Sequence, residues 1–138
     1  VNAKRYLNQL DQLSGMILRT KELIEELRAT KRSAGAIRYD KPRVQTSPAD
    51  SMARYAARLD ELERKELKLV SEYHAKFILI QDQISGIGND LYAKVLSLRY
   101  LDRMRLFEIA DELGYTETYI RNVHGQALKA FALKYLEC

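Results

Sequence analysis

Tryptophan is absent, cysteine occurs once, proline twice, and glycine makes up only 6 of the 138 residues. Each scarcity excludes something. The single Cys138 has no partner, so neither an intramolecular disulfide nor a cysteine-rich metal site is expected. With 46% hydrophobic and 30% charged residues, so little glycine and proline suits a folded, largely helical protein rather than a disordered one. No apolar run approaches the roughly 18 to 20 residues of a membrane span, and no basic segment followed by an apolar block opens the chain. A soluble, cytoplasmic protein without membrane contact is the expectation. His74 and His124 have no second histidine or cysteine at ligand spacing, so no metal is expected. Nucleophile elbow, phosphate loop, paired zinc motif and dinucleotide fingerprint are all missing, which argues against an enzyme and against a cofactor.

What is present is helical periodicity. From Lys4 to about Arg28, Tyr6, Leu10, Leu13, Ile17, Leu23, Ile24 and Leu27 recur mostly three or four apart, the spacing of an amphipathic helix. The stretch Lys31–Asp50 loses that period and holds both prolines, so it reads as a long loop. Its first part is basic: between Lys31 and Arg43, Lys31, Arg32, Arg38, Lys41 and Arg43 stand against one acid, Asp40. Arg32, Arg38, Lys41 and Arg43 are candidate phosphate contacts, with a plain polar connection as the equal alternative.

A second helix is expected after Pro48, capped by Asp50 or Ser51. Met52, Tyr55, Leu59, Leu62, Leu69, Tyr73, Phe77, Ile80 and Ile84 form a heptad-like seam, with polar Glu66 in one seam position. Such a stripe needs a partner. The first helix can supply it as an antiparallel hairpin, and part of the longer second seam remains for a second copy, so a homodimer is expected. Ser85-Gly86-Ile87-Gly88-Asn89-Asp90 ends this helix and caps the next. The domain boundary is drawn there, giving a hairpin over 1–85 and a C-terminal module over 86–138.

Three helices follow: Leu91–Leu101, Leu106–Leu113 and Thr116 to about Leu136. Ile109 and Leu113 share a face, small Ala110 admits a close neighbour, Gly114 suits a left-handed helix end and Thr116 caps the next helix. These are the parts of a helix-turn-helix. The overall expectation is an all-α fold, a long helical hairpin followed by a three-helix module.

Leu98-Arg99-Tyr100, Phe107-Glu108-Ile109-Ala110, Leu113-Gly114-Tyr115-Thr116, Ile120-Arg121 and Ala127-Leu128 together resemble region 4 of bacterial sigma factors, which reads the promoter element at about −35. The Ala3-Lys4-Arg5-Tyr6-Leu7 helix, the segment Arg43-Val44-Gln45-Thr46-Ser47-Pro48 and the long second helix are similar to small phage and prophage proteins related to the ArpU/RinA-type regulators of late, packaging and lysis genes. The resemblance implies a transcriptional regulator that binds double-stranded DNA in a bacterial host, with RNA polymerase as a further partner. It places base-reading on Glu117, Thr118, Arg121 and Asn122. Arg121 suits guanine, Asn122 adenine and Glu117 cytosine N4. Arg103, Arg105, Thr116, Tyr119, His124 and Lys129 are the implied backbone or flanking contacts.

Two features complicate this reading. Gly125 lies inside the recognition helix, and residues 86–138 carry seven basic and seven acidic side chains, so the chain's surplus of positive charge lies in the first fifty residues. Two alternatives stand beside the regulator. One is a small DNA-packaging subunit of the terminase type, although such subunits carry the DNA-binding module first. The other is a sigma-mimicking adaptor that engages RNA polymerase without reading DNA.

Overall fold

The structure, a computed structural model, describes residues 2–37 and 48–137. The described residues are helical, with no strand among them. Short α1 (Ala3–Leu7) is capped by the Asn2 side chain, which accepts from the backbone N–H of Lys4 at 2.8 Å. After Asn8 the chain re-enters helix as α2 (Gln9–Ile37), so the single first helix expected from the sequence is interrupted once.

The sequence predicts a loop over Lys31–Asp50, but α2 continues to Ile37 and α3 (Pro48–Ser85) already begins at Pro48. Loss of apolar period removes an amphipathic face, not helicity. Lys31, Arg32, Ala34 and Ala36 are good helix formers that outweigh the roughly 1 kcal/mol cost of Gly35. Proline is at home in a first helical turn, where its missing N–H has no intrahelical acceptor, and Asp50 lies inside that turn rather than capping it. Of the expected loop, residues 38–47, with Arg38, Lys41 and Arg43, lie outside the described residues. Arg32 belongs to α2.

The chain divides into two compact units, Val1–Leu13 with Tyr73–Cys138, and Ser14–Glu72. Both divisions fall within α2 and α3, whereas the sequence draws its boundary at the glycine turn after Ser85.

In Ser14–Glu72, α2 and α3 pair along the predicted seam. Ile24, Leu62 and Leu69 are buried. Lys21 meets Glu66 at 3.8 Å, Arg28 meets Glu63 at 3.1 Å, and Lys31 lies 4.7 Å from the centre of the Tyr55 ring. Residue numbers rise along α2 as they fall along α3, so the two run antiparallel. Glu66, the polar member of the seam, is thus answered by Lys21. Thr20, absent from the apolar pattern, is buried, and its hydroxyl donates to the Met16 carbonyl at 2.9 Å. Met52, expected in the seam, is exposed.

The other unit contains α4 (Asp90–Leu96), a π-helical turn (Ser97–Leu101), α5 (Leu106–Leu113), α6 (Glu117–Phe131) and a second π-helical turn (Ala132–Leu136). Its larger core joins Leu7, Leu10, Ile80, Ile84, Leu96, Tyr100, Ala127 and Phe131. A Cβ on Gly86 would lie 2.7 Å from the Tyr135 hydroxyl, so the tip of that ring would have to shift to admit one. A smaller core, Val95, Ile109, Ala110, Ile120 and Val123, is shared by α4, α5 and α6. Each large side chain so buried stabilises the fold by about 1.5 to 3 kcal/mol. This second core is the platform on which the outer face of α6 rests.

Candidate nucleic-acid interface

The junction between α5 and α6 is set by three local requirements. At the start of α5 the Arg105 N–H donates to Glu108 Oε1 at 2.8 Å, one half of a capping box. At its end Gly114 takes the left-handed conformation, φ 77° and ψ 30°, and the Tyr115 N–H reaches back to the Ala110 carbonyl at 2.9 Å. Thr116, in extended conformation, accepts from the Tyr119 N–H at 3.1 Å and so starts α6. Asn89 does the same for α4, accepting from Tyr92 at 3.0 Å. The sequence predicts the Gly114 and Thr116 roles, and an Asn or Asp cap ahead of α4.

From this start α6 has two distinct faces. Ile120, Val123 and Ala127 are sealed into the unit, while Glu117, Thr118, Arg121 and Asn122 are all exposed. Spacings of one, four and five residues put those four side chains on one side of a helix. Arg121 donates to the Glu117 carboxylate one turn away. Both are exposed, so this ion pair contributes little to stability. Its consequence is electrostatic, because the one cation among the four carries its own counter-charge.

The six flanking candidates separate. Thr116 and Tyr119 stay at the edge of the outward face, where Tyr119 packs on Tyr115 with ring centres 4.8 Å apart. These tyrosines are 44% and 45% exposed, an unusual amount of aromatic surface at a helix start, and Tyr115 is a contact candidate the sequence did not single out. Its signal was available: two aromatics four apart, one on each side of a cap. Lys129 is exposed two turns beyond Arg121. Arg103 and Arg105 are exposed in the segment before α5. Arg103 has φ 60°, rare for a side chain with a Cβ. Its turn is closed by the Met104 N–H on the Leu98 carbonyl at 2.9 Å and by Arg99 Nη1 on the Met104 carbonyl at 3.2 Å.

His124 points elsewhere. Its Nε2 lies 2.8 Å from the Tyr100 hydroxyl, and the two rings stack with centres 5.7 Å apart. Burial, helped by the charges of Arg99 and Lys4, lowers the imidazole to about 4. Burial pushes the Tyr100 phenol up against the smaller opposing effect of Arg99. At neutral pH the phenol therefore keeps its proton and shares a hydrogen bond with an uncharged imidazole. His124 ties α6 to the π-helical turn before α5 and holds the outward face in place from behind.

Among the described residues no group of three or more His, Cys, Asp or Glu side chains is arranged to hold a metal ion, and no helix is long and apolar enough to cross a membrane. The unit carries a capped helix with a polar, donor-bearing outer face on a sealed apolar platform. No protein-family model matches the chain, and comparison with curated proteins and with solved structures returned no match.

Proposed function

We propose that the chain is a sequence-specific DNA-binding transcriptional regulator in which α5, the Gly114 turn and α6 act as a helix-turn-helix. The observation that carries this reading is the exposure of Glu117, Thr118, Arg121 and Asn122 together at the capped start of a helix whose opposite face is buried. A recognition helix needs that combination, since its first turns meet base edges while its back is fixed. Arg121 would read guanine and Asn122 adenine, each pairing discriminating by ~1 to 3 kcal/mol. Arg103, Arg105 and Lys129 would hold phosphates. The α2–α3 pair would act as a hairpin that dimerises the protein, bringing two heads to half-sites about one helical turn apart or a multiple of it. The regulated genes would be late, packaging or lysis genes of a phage or prophage, as the sigma-like and ArpU/RinA-like motifs suggest.

One specific observation favours a second reading, an adaptor that engages RNA polymerase. Basic and acidic residues balance over 86–138, and Arg121 is held by Glu117. Fluorescence anisotropy over a salt series, with phage promoter DNA against a scrambled duplex, separates the two. A regulator binds the promoter more tightly, with affinity falling as salt rises, and loses the preference when Arg121 and Asn122 are both replaced by Ala. Equal binding to both duplexes, or none at low salt, overturns the DNA reading.

A further inference from the structure

We propose that Gly125 is a contact position at which the sugar-phosphate backbone of a DNA duplex approaches α6 too closely for a side chain to fit. This rests on the DNA-binding reading above and adds a residue to it.

The inference starts from a glycine with no local reason to be one. Gly114 and Gly88 have positive φ, 77° and 88°, and a Cβ on Gly86 would collide with Tyr135. Gly125 has neither reason. It lies well inside α6, its φ is not positive, and a Cβ there would meet nothing within 4 Å. Glycine in a helix interior costs about 1 kcal/mol relative to alanine, so the fold would be better served by a side chain.

Its surroundings say what the space is for. Arg121 stands one turn before Gly125 on the same face and Lys129 one turn after, both exposed, spanning about 12 Å of helix. Exposed Asn122 and Thr118 border the same stripe, and its one acid, Glu117, is already paired with Arg121. The result is a bare stretch of helix backbone between two cations. A strand of phosphates fits it: the cations take the charge, and the missing side chain lets the sugar chain lie against the helix.

Gly15 is an instructive control. A Cβ there would also meet nothing within 4 Å, but its neighbours one turn away are Asp11 and Arg19, and Arg19 is engaged by Glu22 and Glu26. Empty space alone therefore does not mark a contact position: at Gly15 it lies between an acid and a cation held by two acids, whereas at Gly125 it lies between two cations, of which one, Arg121, is held by a single exposed acid.

The test uses the full chain and a duplex that the unchanged protein binds. Gly125→Ala and Gly125→Gln are measured for melting temperature and for DNA affinity at several salt concentrations, beside Lys129→Ala and Gly15→Ala. Both Gly125 variants should melt higher than the parent. Ala should bind several-fold more weakly and Gln about tenfold or more. Because no charge changes, the slope of affinity against salt should stay the same for both, whereas Lys129→Ala should reduce it by about one ion. Gly15→Ala should raise the melting temperature and leave affinity unchanged. Gly125 variants that bind as tightly as the parent overturn the inference, and so does a fall in melting temperature, which would give Gly125 a structural role. If the parent binds no duplex at low salt, the DNA reading itself has failed, and that is seen without any Gly125 variant.

Discussion

The two compact units reach their folds by different means. Val1–Leu13 with Tyr73–Cys138 buries side chains on several short helices, and Leu7, Ile80, Val95, Leu96, Ile109, Ile120, Ala127 and Phe131 are fully enclosed. Among its described residues, Ser14–Glu72 has two helices and one seam, buries Thr20, Ile24, Leu62 and Leu69, and leaves Leu18 60% and Leu67 72% exposed. Three or more helices enclose a residue from all sides, whereas a pair encloses it from one. The outward face of α6, proposed above to read DNA, is on the first kind of unit, whose enclosed core can hold side chains in fixed positions. The second kind supplies length and an outer surface.

The sharpest test of this contrast is a large truncation in each unit. Phe131→Ala should destabilise by about 3 to 5 kcal/mol in denaturant unfolding, because its ring is wholly enclosed beside Tyr6 and Tyr135. Leu67→Ala should change stability by no more than about 0.5 kcal/mol. A large loss from Leu67→Ala would mean that its exposed face is covered in solution, and would erase the difference between the units.

Acid should affect the enclosed unit through His124. The unfolded chain takes up a proton on this imidazole as pH falls below its ordinary value of 6.5, while the folded chain resists until about 4. The stability contributed by the neutral imidazole is therefore complete above pH 6.5 and is lost as pH falls from there to 4. Discounted for partial exposure, the loss is about 1 to 2 kcal/mol. His124→Gln keeps a hydrogen-bonding side chain for the Tyr100 hydroxyl without a titrating ring, so its stability curve should be flatter over that window. An unchanged slope would show that the ring is already hydrated.

Next in size is the cap of the proposed recognition helix. Thr116→Ala removes the acceptor for the Tyr119 N–H and should cost about 1 kcal/mol. Thr116→Ser should restore most of it, and a loss that serine does not recover would point to packing of the threonine methyl instead.

How far the sequence carried depended on whether a feature was a local backbone requirement. Gly114 and Thr116 were legible because a left-handed residue and a capping hydroxyl depend on a few neighbours only. The α3 seam was legible because burial against a parallel or antiparallel helix obeys one period. Thr20 was not, since a hydroxyl satisfied by its own helix behaves as an apolar seam residue while scoring as polar. The helical stretch up to Ile37 was missed because helix propensity without an apolar face leaves no period to read. His124 lies four residues after Ile120 and three before Ala127, which puts it near the buried side of α6, but its contact with Tyr100 depends on the tertiary packing. The outward face itself was readable as a set of positions. The Arg121–Glu117 pairing and the open space at Gly125 depend on side-chain placement, which periodicity does not resolve.

The smallest effect probes the paired helices. Arg28 and Glu63 meet at 3.1 Å with nearly half of each side chain in solvent, and Lys21 meets Glu66 more loosely at 3.8 Å. Exposed pairs of this kind contribute about 0.2 to 1 kcal/mol and are screened by salt. A double-mutant cycle on Arg28 and Glu63 should return a coupling of about 0.5 kcal/mol or less in dilute buffer. In ~1 M salt, where the screening length is about 3 Å, it should fall close to zero. Glu66 sits deeper in the seam, with 27% of its side chain exposed, so Glu66→Leu should be neutral or stabilising where Glu63→Leu brings no gain. If Glu66→Leu destabilises instead, the polar seam position sets the register of α2 against α3, and the paired unit is specified by charge as well as by its apolar seam.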